Sequence, residues 1–157
     1  NEGLIMKLSV LKNTSLASVH ERQRFGFIKY KKEVSEVTKI IKRLNVITPD
    51  LEQKVSMLSG GNQQKVVIGK WLLCNPKLII FDEPTSGIDV KAKIEIWKLI
   101  RELAQEGAGV IMISSEIPEV IGVSDRILVM HKGRIAGELS SDVATEEKIL
   151  TLASFGG

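Results

Sequence analysis

Residues 77–82 read Lys-Leu-Ile-Ile-Phe-Asp, a short apolar run with Pro76 before it and Pro84 after it. A strand with one wet face would alternate; an unbroken run of this length predicts a strand covered on both faces, the signature of a parallel sheet between helical layers. The flanking sequence supports that reading. Residues 31–44 place Val34, Val37, Ile41 and Leu44 at helical spacing, ending near Asn45. Thr48 and Pro49 predict a second, short helix toward Leu58. Gly60 and Gly61 open a third helix whose expected apolar face is Val67, Ile68, Trp71 and Leu72. Residues 90–106 predict a helix with Val90, Ile94, Trp97, Ile100 and Leu103 inward. Residues 109–114 form a second buried strand, 117–123 a short helix, and Lys132-Gly133 the turn of a hairpin. A weak helix is expected from Thr145 to Leu152. Strands alternating with helices give an α/β fold with a mostly parallel sheet.

Two clusters in this framework can carry chemistry. Asp82 and Glu83 stand at the carboxyl end of the first strand, where open parallel sheets bind ligands. An isolated Asp-Glu pair is more often just a polar strand end. As a functional pair it offers a carboxylate for magnesium, which takes oxygen ligands from one or two carboxylates, phosphates and water, and a base for a water molecule. Ser59-Gly60-Gly61 opens a helix: the serine can cap it, and first-turn amides at the positive end of the helix dipole suit an anion. Alone, Ser-Gly-Gly is usually a turn.

A nucleotide-hydrolysing chain should also carry a Gly-x-x-x-x-Gly-Lys-Ser/Thr loop, and no glycine pair here has that spacing. Gly69-Lys70 comes nearest, but Gln64 stands where the first glycine belongs and Trp71 where the hydroxyl belongs. Other classes are less favoured. The net charge of +3 is too small to point to nucleic acid, and 4% aromatic residues do not make a base-stacking platform. The apolar runs are far short of a membrane span. His20 and His131 lack a metal-ligand pattern, and Cys74, preceded by Leu72 and Leu73, reads as a buried structural thiol.

The order Leu-Ser-Gly-Gly (58–61), helix, apolar strand, Asp-Glu-Pro (82–84) and Ser-Gly-Ile-Asp (86–89) resembles the ATP-binding-cassette (ABC) ATPases, a branch of the P-loop NTPases. Asn62-Gln63-Gln64 and the segments 114–120 and 124–139 are similar to the second, carboxyl-terminal cassette of tandem importers for ribose, galactose and related monosaccharides. The resemblance implies that residues 1–57 are part of the helical subdomain and that residues 58–157 hold the signature helix and the carboxyl-terminal part of the ATPase core. It implies that Ser59, Gly60, Gly61 and Asn62, the last replacing the usual glutamine, contact ATP held by a partner cassette. Asp89 is then the D-loop aspartate at the dimer interface, Asp82 the magnesium aspartate and Glu83 the catalytic base. Ser115 stands where a working cassette has its switch histidine, which makes Glu83 the weaker bet.

The implied cofactors are ATP and Mg2+. The implied partners are the other cassette of the tandem ATPase, a membrane permease and, indirectly, a periplasmic sugar-binding protein, with no nucleic acid. The implied place is cytoplasmic, on the inner face of the cell membrane. A soluble cassette acting on ribosomes or DNA is the alternative, which the low charge and the Asn-Gln-Gln variant disfavour. The Gly-Lys loop is expected upstream of residue 1, which would leave this chain alone inactive. In such a sheet the phosphate-loop strand lies between the strands at 109–114 and 126–130, so the chain alone is expected to self-associate or to rearrange locally around the gap.

Overall fold

A computed structural model describes residues 3–24 and 27–155. The elements are α1 (Val10–Ser15), α2 (Val19–Arg22), β1 (Gln23–Arg24), β2 (Phe27–Ile28), α3 (Tyr30–Arg43), α4 (Gly60–Leu72), β3 (Leu78–Asp82), α5 (Val90–Gln105), β4 (Gly109–Ile113), α6 (Ile117–Val123), β5 (Arg126–His131), β6 (Arg134–Ser140) and α7 (Glu146–Phe155). The chain divides into two compact units. One comprises Asn1–Lys77 with Thr85–Leu99; the other comprises Leu78–Pro84 with Ile100–Gly157.

The first unit is a helical assembly. α3 runs where its spacing predicts, with Val37 and Ile41 buried, and ends as Asn45 turns into the left-handed region at φ 47°. α1 was not anticipated from the sequence. It is held by Asn13, fully buried, whose side-chain amide donates to the carbonyls of Ile5, Leu8 and Ser9 and accepts from the Ile5 amide. The helix expected from Thr48 to Leu58 does not form; only Val55–Met57 make a 3-10 turn. Its amides and carbonyls have better partners. The amides of Val10 and Leu11 donate to Gln53 O and Leu51 O, the Val55 amide donates to Leu8 O, and Asp50 Oδ1 accepts from the amides of Glu52 and Gln53.

α4 is buried nearly all round, so the expected face is also corrected: Val66 and Ile68 are inside, while Trp71 is 54% exposed. Trp71 stands out because the opposite side of α4 is drawn against α3 and α1 at Gly69. A Cβ there would lie 2.9 Å from Ile40 Cγ2 and 3.0 Å from Leu44 Cδ1. α5 is rotated from expectation in the same way, burying Ala92, Ile96, Leu99, Ile100 and Leu103 and exposing Val90 and Ile94. Cys74 is half-buried, not fully inside.

In the second unit β3 and β4 pair in parallel, Leu78 opposite Gly109 through Asp82 opposite Ile113. β5 and β6 form the expected antiparallel hairpin, with Lys132 at φ 45° and Gly133 at φ 78° giving both residues of its turn the left-handed backbone that a two-residue loop needs. Ile127 and Val129 of β5 and Ile149 of α7 form a core, with Ile117, Val120 and Ile121 of α6 packed against it. β3 is not covered on both faces as its sequence suggested. Phe81 is buried, but Leu78, Ile80, Ile111 and Ile113 line an exposed apolar face, since no described residue covers it. No described strand pairs with the second edge of β4.

The tight α3–α4 approach is testable. Alanine at position 69 would gain about 1 kcal/mol of helix propensity, but its Cβ meets a β-branched methyl that cannot swing away, an overpacking cost of about 1–3 kcal/mol. Gly69→Ala should therefore lower stability by about 1 kcal/mol in urea unfolding followed by tryptophan fluorescence; a more stable variant would contradict this packing.

Candidate functional site

The glycine-opened helix start lies in the first unit. Ser59 is extended at φ −62° and ψ 157° and caps α4, accepting weakly from the Asn62 amide at 3.5 Å and from Asn62 Nδ2 at 3.0 Å. The two glycines have different roles. Gly61 is buried, and a Cβ there would stand 2.6 Å from Ala92 Cβ, so the bare backbone is what lets α4 begin against α5. Gly60 is exposed, with only ordinary van der Waals neighbours in Ile88 and Gly87, so its missing side chain leaves the approach to the helix start open.

The residues that follow are tied down. The Asn62 side chain bridges Ser59 to the connector after α3, its Oδ1 accepting from the Ile47 amide at 2.9 Å. Gln63, buried, donates to Val55 O and Leu58 O at 3.1 Å each. Lys65, also buried, donates to Asn45 O at 2.9 Å and pairs with Glu95 at 2.5 Å. Asp89 caps α5, its Oδ1 accepting from the Ala92 amide at 3.0 Å. Sequence reasoning did not single out Lys65 or Glu95. An acid on one face of an amphipathic helix has no sequence mark that distinguishes a buried lysine's partner.

The carboxylates lie in the second unit. Asp82 ends β3 and is exposed. Glu83 has φ 45°, a left-handed conformation that costs a residue with a side chain about 1–2 kcal/mol, and its amide donates to Ile113 O at 2.9 Å. This turn directs the Glu83 carboxylate away from the strand direction, to the Ser115 amide, which donates to Oε1 at 2.8 Å. Ser114 is held in turn: its hydroxyl donates to the buried Glu119 at 2.6 Å and accepts from the Glu116 amide at 3.1 Å. Glu119, like Lys65 and Glu95, was not disclosed by the sequence. Backbone strain at an acidic residue whose side chain is then held by a second loop is a pattern of functional sites.

No group of three or more potential ligands is gathered for a metal among the described residues. Asp82 offers one exposed carboxylate, the kind of single protein ligand that magnesium on a nucleotide uses with phosphate and water supplying the rest.

A family model described as ABC transporter matches residues 1–86, more than half of the chain. The chain belongs to the ABC transporter family. Among curated relatives, a xylose import ATP-binding protein of Geobacillus kaustophilus is 53% identical over 154 residues, 98% of this chain and 31% of that protein. A ribose import ATP-binding protein of Caldanaerobacter subterraneus is 53% identical over 158 residues, covering 100% of this chain and 32% of that protein. This chain thus spans about a third of the length of these relatives. Among solved structures, an inward-facing putative metal-chelate type ABC transporter superposes with a TM-score of 0.82 over 96% of this chain and 59% of that one; at 22% identity it shows the fold alone. A dimeric ATP-binding cassette in a post-hydrolysis state with ADP and phosphate superposes with a TM-score of 0.74 at 26% identity, over 88% of this chain and 59% of that one. The fold expected from the sequence, a P-loop NTPase of the ABC ATPase type, is the fold of these structures.

The contacts of Lys65 make the seat of α4 testable. Lys65 is 7% exposed but Glu95 is 39% exposed, so the freed carboxylate can rehydrate and the cost falls below that of breaking a fully buried pair. Lys65→Met should lose about 1–2 kcal/mol in chemical denaturation, and Lys65→Arg should recover part of it. Equal stability of wild type and Lys65→Met would remove the pair from the account.

Proposed function

We propose that this chain is the part of a sugar-importing ABC ATPase that closes over ATP held by another cassette. The observation that carries the reading is the near-complete alignment with xylose and ribose import ATP-binding proteins, joined to the signature at the start of α4. In this reading residues 1–57 belong to the helical subdomain and 58–157 to the signature helix and the ATPase core. Ser59 and the first-turn amides of Gly60, Gly61 and Asn62 offer donors to the triphosphate, and Asp89 stands at the interface between cassettes. ATP with Mg2+ supplies the free energy for import. Asp82 holds the magnesium of this chain's own, weaker site, where Glu83 is the base.

Ser115 occupies the switch-histidine position there. A serine side chain offers no imidazole to share a proton, and its backbone amide already holds Glu83. The partners are a second cassette, a membrane permease against the inner face of the cell membrane, and through it a sugar-binding protein. In this reading the permease provides the path; no described helix is long and apolar enough to cross a membrane.

The roles separate under mutation. In the full-length ATPase assembled with its permease, Ser59→Ala should cut ATP turnover at least tenfold more than Glu83→Ala does, within the range by which positioned donors contribute to catalysis, roughly 10²–10³. Equal losses would refute the assignment.

The isolated chain, without a phosphate loop, is inactive in this reading and self-associates through the apolar face of β3 and β4. In sedimentation velocity its apparent mass should rise with concentration, and Ile80→Lys should suppress the rise. A single monomeric species at every concentration would exclude that contact.

A further inference from the structure

The signature serine is held by a chain of hydrogen bonds whose direction is fixed at one end. Ile47 lies in the connector that follows α3 and is 78% exposed as a residue, so packing does not hold it. Its amide does: the N–H donates to Asn62 Oδ1 at 2.9 Å. A backbone N–H can only donate, so the oxygen of the Asn62 amide must face Ile47 and the nitrogen must face Ser59. Nδ2 lies 3.0 Å from Ser59 Oγ. A hydroxyl has one hydrogen and two lone pairs; Ser59 accepts from Nδ2 and, more weakly, from the Asn62 amide. Neither bond uses the serine's own hydrogen.

From this geometry we propose that Asn62 is a positioning residue that makes Ser59 an outward donor, with the Ile47 amide setting its polarity. An anionic oxygen arriving at the exposed start of α4 then meets an O–H and not a lone pair. With the amide reversed, Ser59 would donate inward and turn its lone pairs to the anion, which repels it. The connector that sets this polarity is itself pinned at its other end, where Lys65 Nζ donates to Asn45 O. A shift of the segment 45–47 relative to α4 would therefore release Asn62 and unset Ser59. The inference rests on the reading that Ser59 meets a triphosphate, and it adds the device that prepares the serine for it.

The test is a double-mutant cycle in the full-length ATPase assembled with its permease, with hydrogen exchange of the Ile47 amide as a second readout. Asn62→Ala should slow ATP turnover about fivefold, the size of one net hydrogen bond, and should add nothing in a Ser59→Ala background. Exchange at Ile47 should quicken about fivefold in Asn62→Ala and stay at the wild-type rate in Asn62→Asp, which keeps the acceptor. If Ser59→Ala alone leaves turnover at the wild-type level, the triphosphate reading fails and the relay with it. If Ser59→Ala is crippling but Asn62→Ala is silent, or the two losses multiply, or Ile47 exchange ignores Asn62→Ala, the relay is overturned while the triphosphate reading stands.

Discussion

α4 can begin where it does only because Gly61 has no side chain. A methyl there would sit 2.6 Å from Ala92 Cβ, well inside contact distance, and α4 would have to lift from α5. Much in the first unit follows from this close seat. It brings Lys65 within reach of Glu95 and lets Asp89 cap α5 close to the start of α4. It also leaves Gly60 and Ser59 at the surface with the first-turn amides beside them. The same device recurs at Gly69, where α3 takes the place that a side chain would fill. A helix that buries two lysines, a glutamine and two glycines around its circumference is held by specific partners as well as by apolar area.

The second unit has its own constraint at the end of β3. Glu83 adopts a backbone conformation that a side chain disfavours, and the strand pair repays it through the amide bond to Ile113 and the carboxylate bond to the Ser115 amide. The loop after β4 is stiffened by the buried Glu119 beneath Ser114. A carboxylate held this way is oriented by a backbone amide, which no substitution at position 115 other than proline removes. The side chain at position 115 is therefore not what holds Glu83.

How much of this could be read from the sequence depended on whether a local rule or a distant partner decided it. α3, β3, β4, α6 and the hairpin followed from periodicity and from turn residues, because their own side chains dictate them. The segment 49–58 did not, since its backbone groups bond to residues 8–11, and no local pattern announces a partner some forty residues away. The inward faces of α4 and α5 were misjudged at Trp71, Val90 and Ile94 for a related reason. Glycines and alanines, which carry little hydrophobic signal, mark the true contact side. Ser59, Asn62, Asp82 and Glu83 could be picked out as candidates by type and spacing, whereas Lys65, Glu95 and Glu119 could not, because a buried charge is recognised only by what it touches. For Asn62 the sequence showed only its place after Ser59-Gly60-Gly61; its bond to Ile47 required the fold.

The central claim is that this chain offers donors at the start of α4 to a triphosphate bound elsewhere. The most direct measurement is the structure of the full-length transporter with nucleotide trapped between its cassettes. The account predicts Ser59 Oγ and the amides of Gly60 and Gly61 within hydrogen-bonding distance of phosphate oxygens on a nucleotide gripped by the other cassette. A closed assembly in which those groups face solvent or protein, with every triphosphate out of their reach, would contradict it.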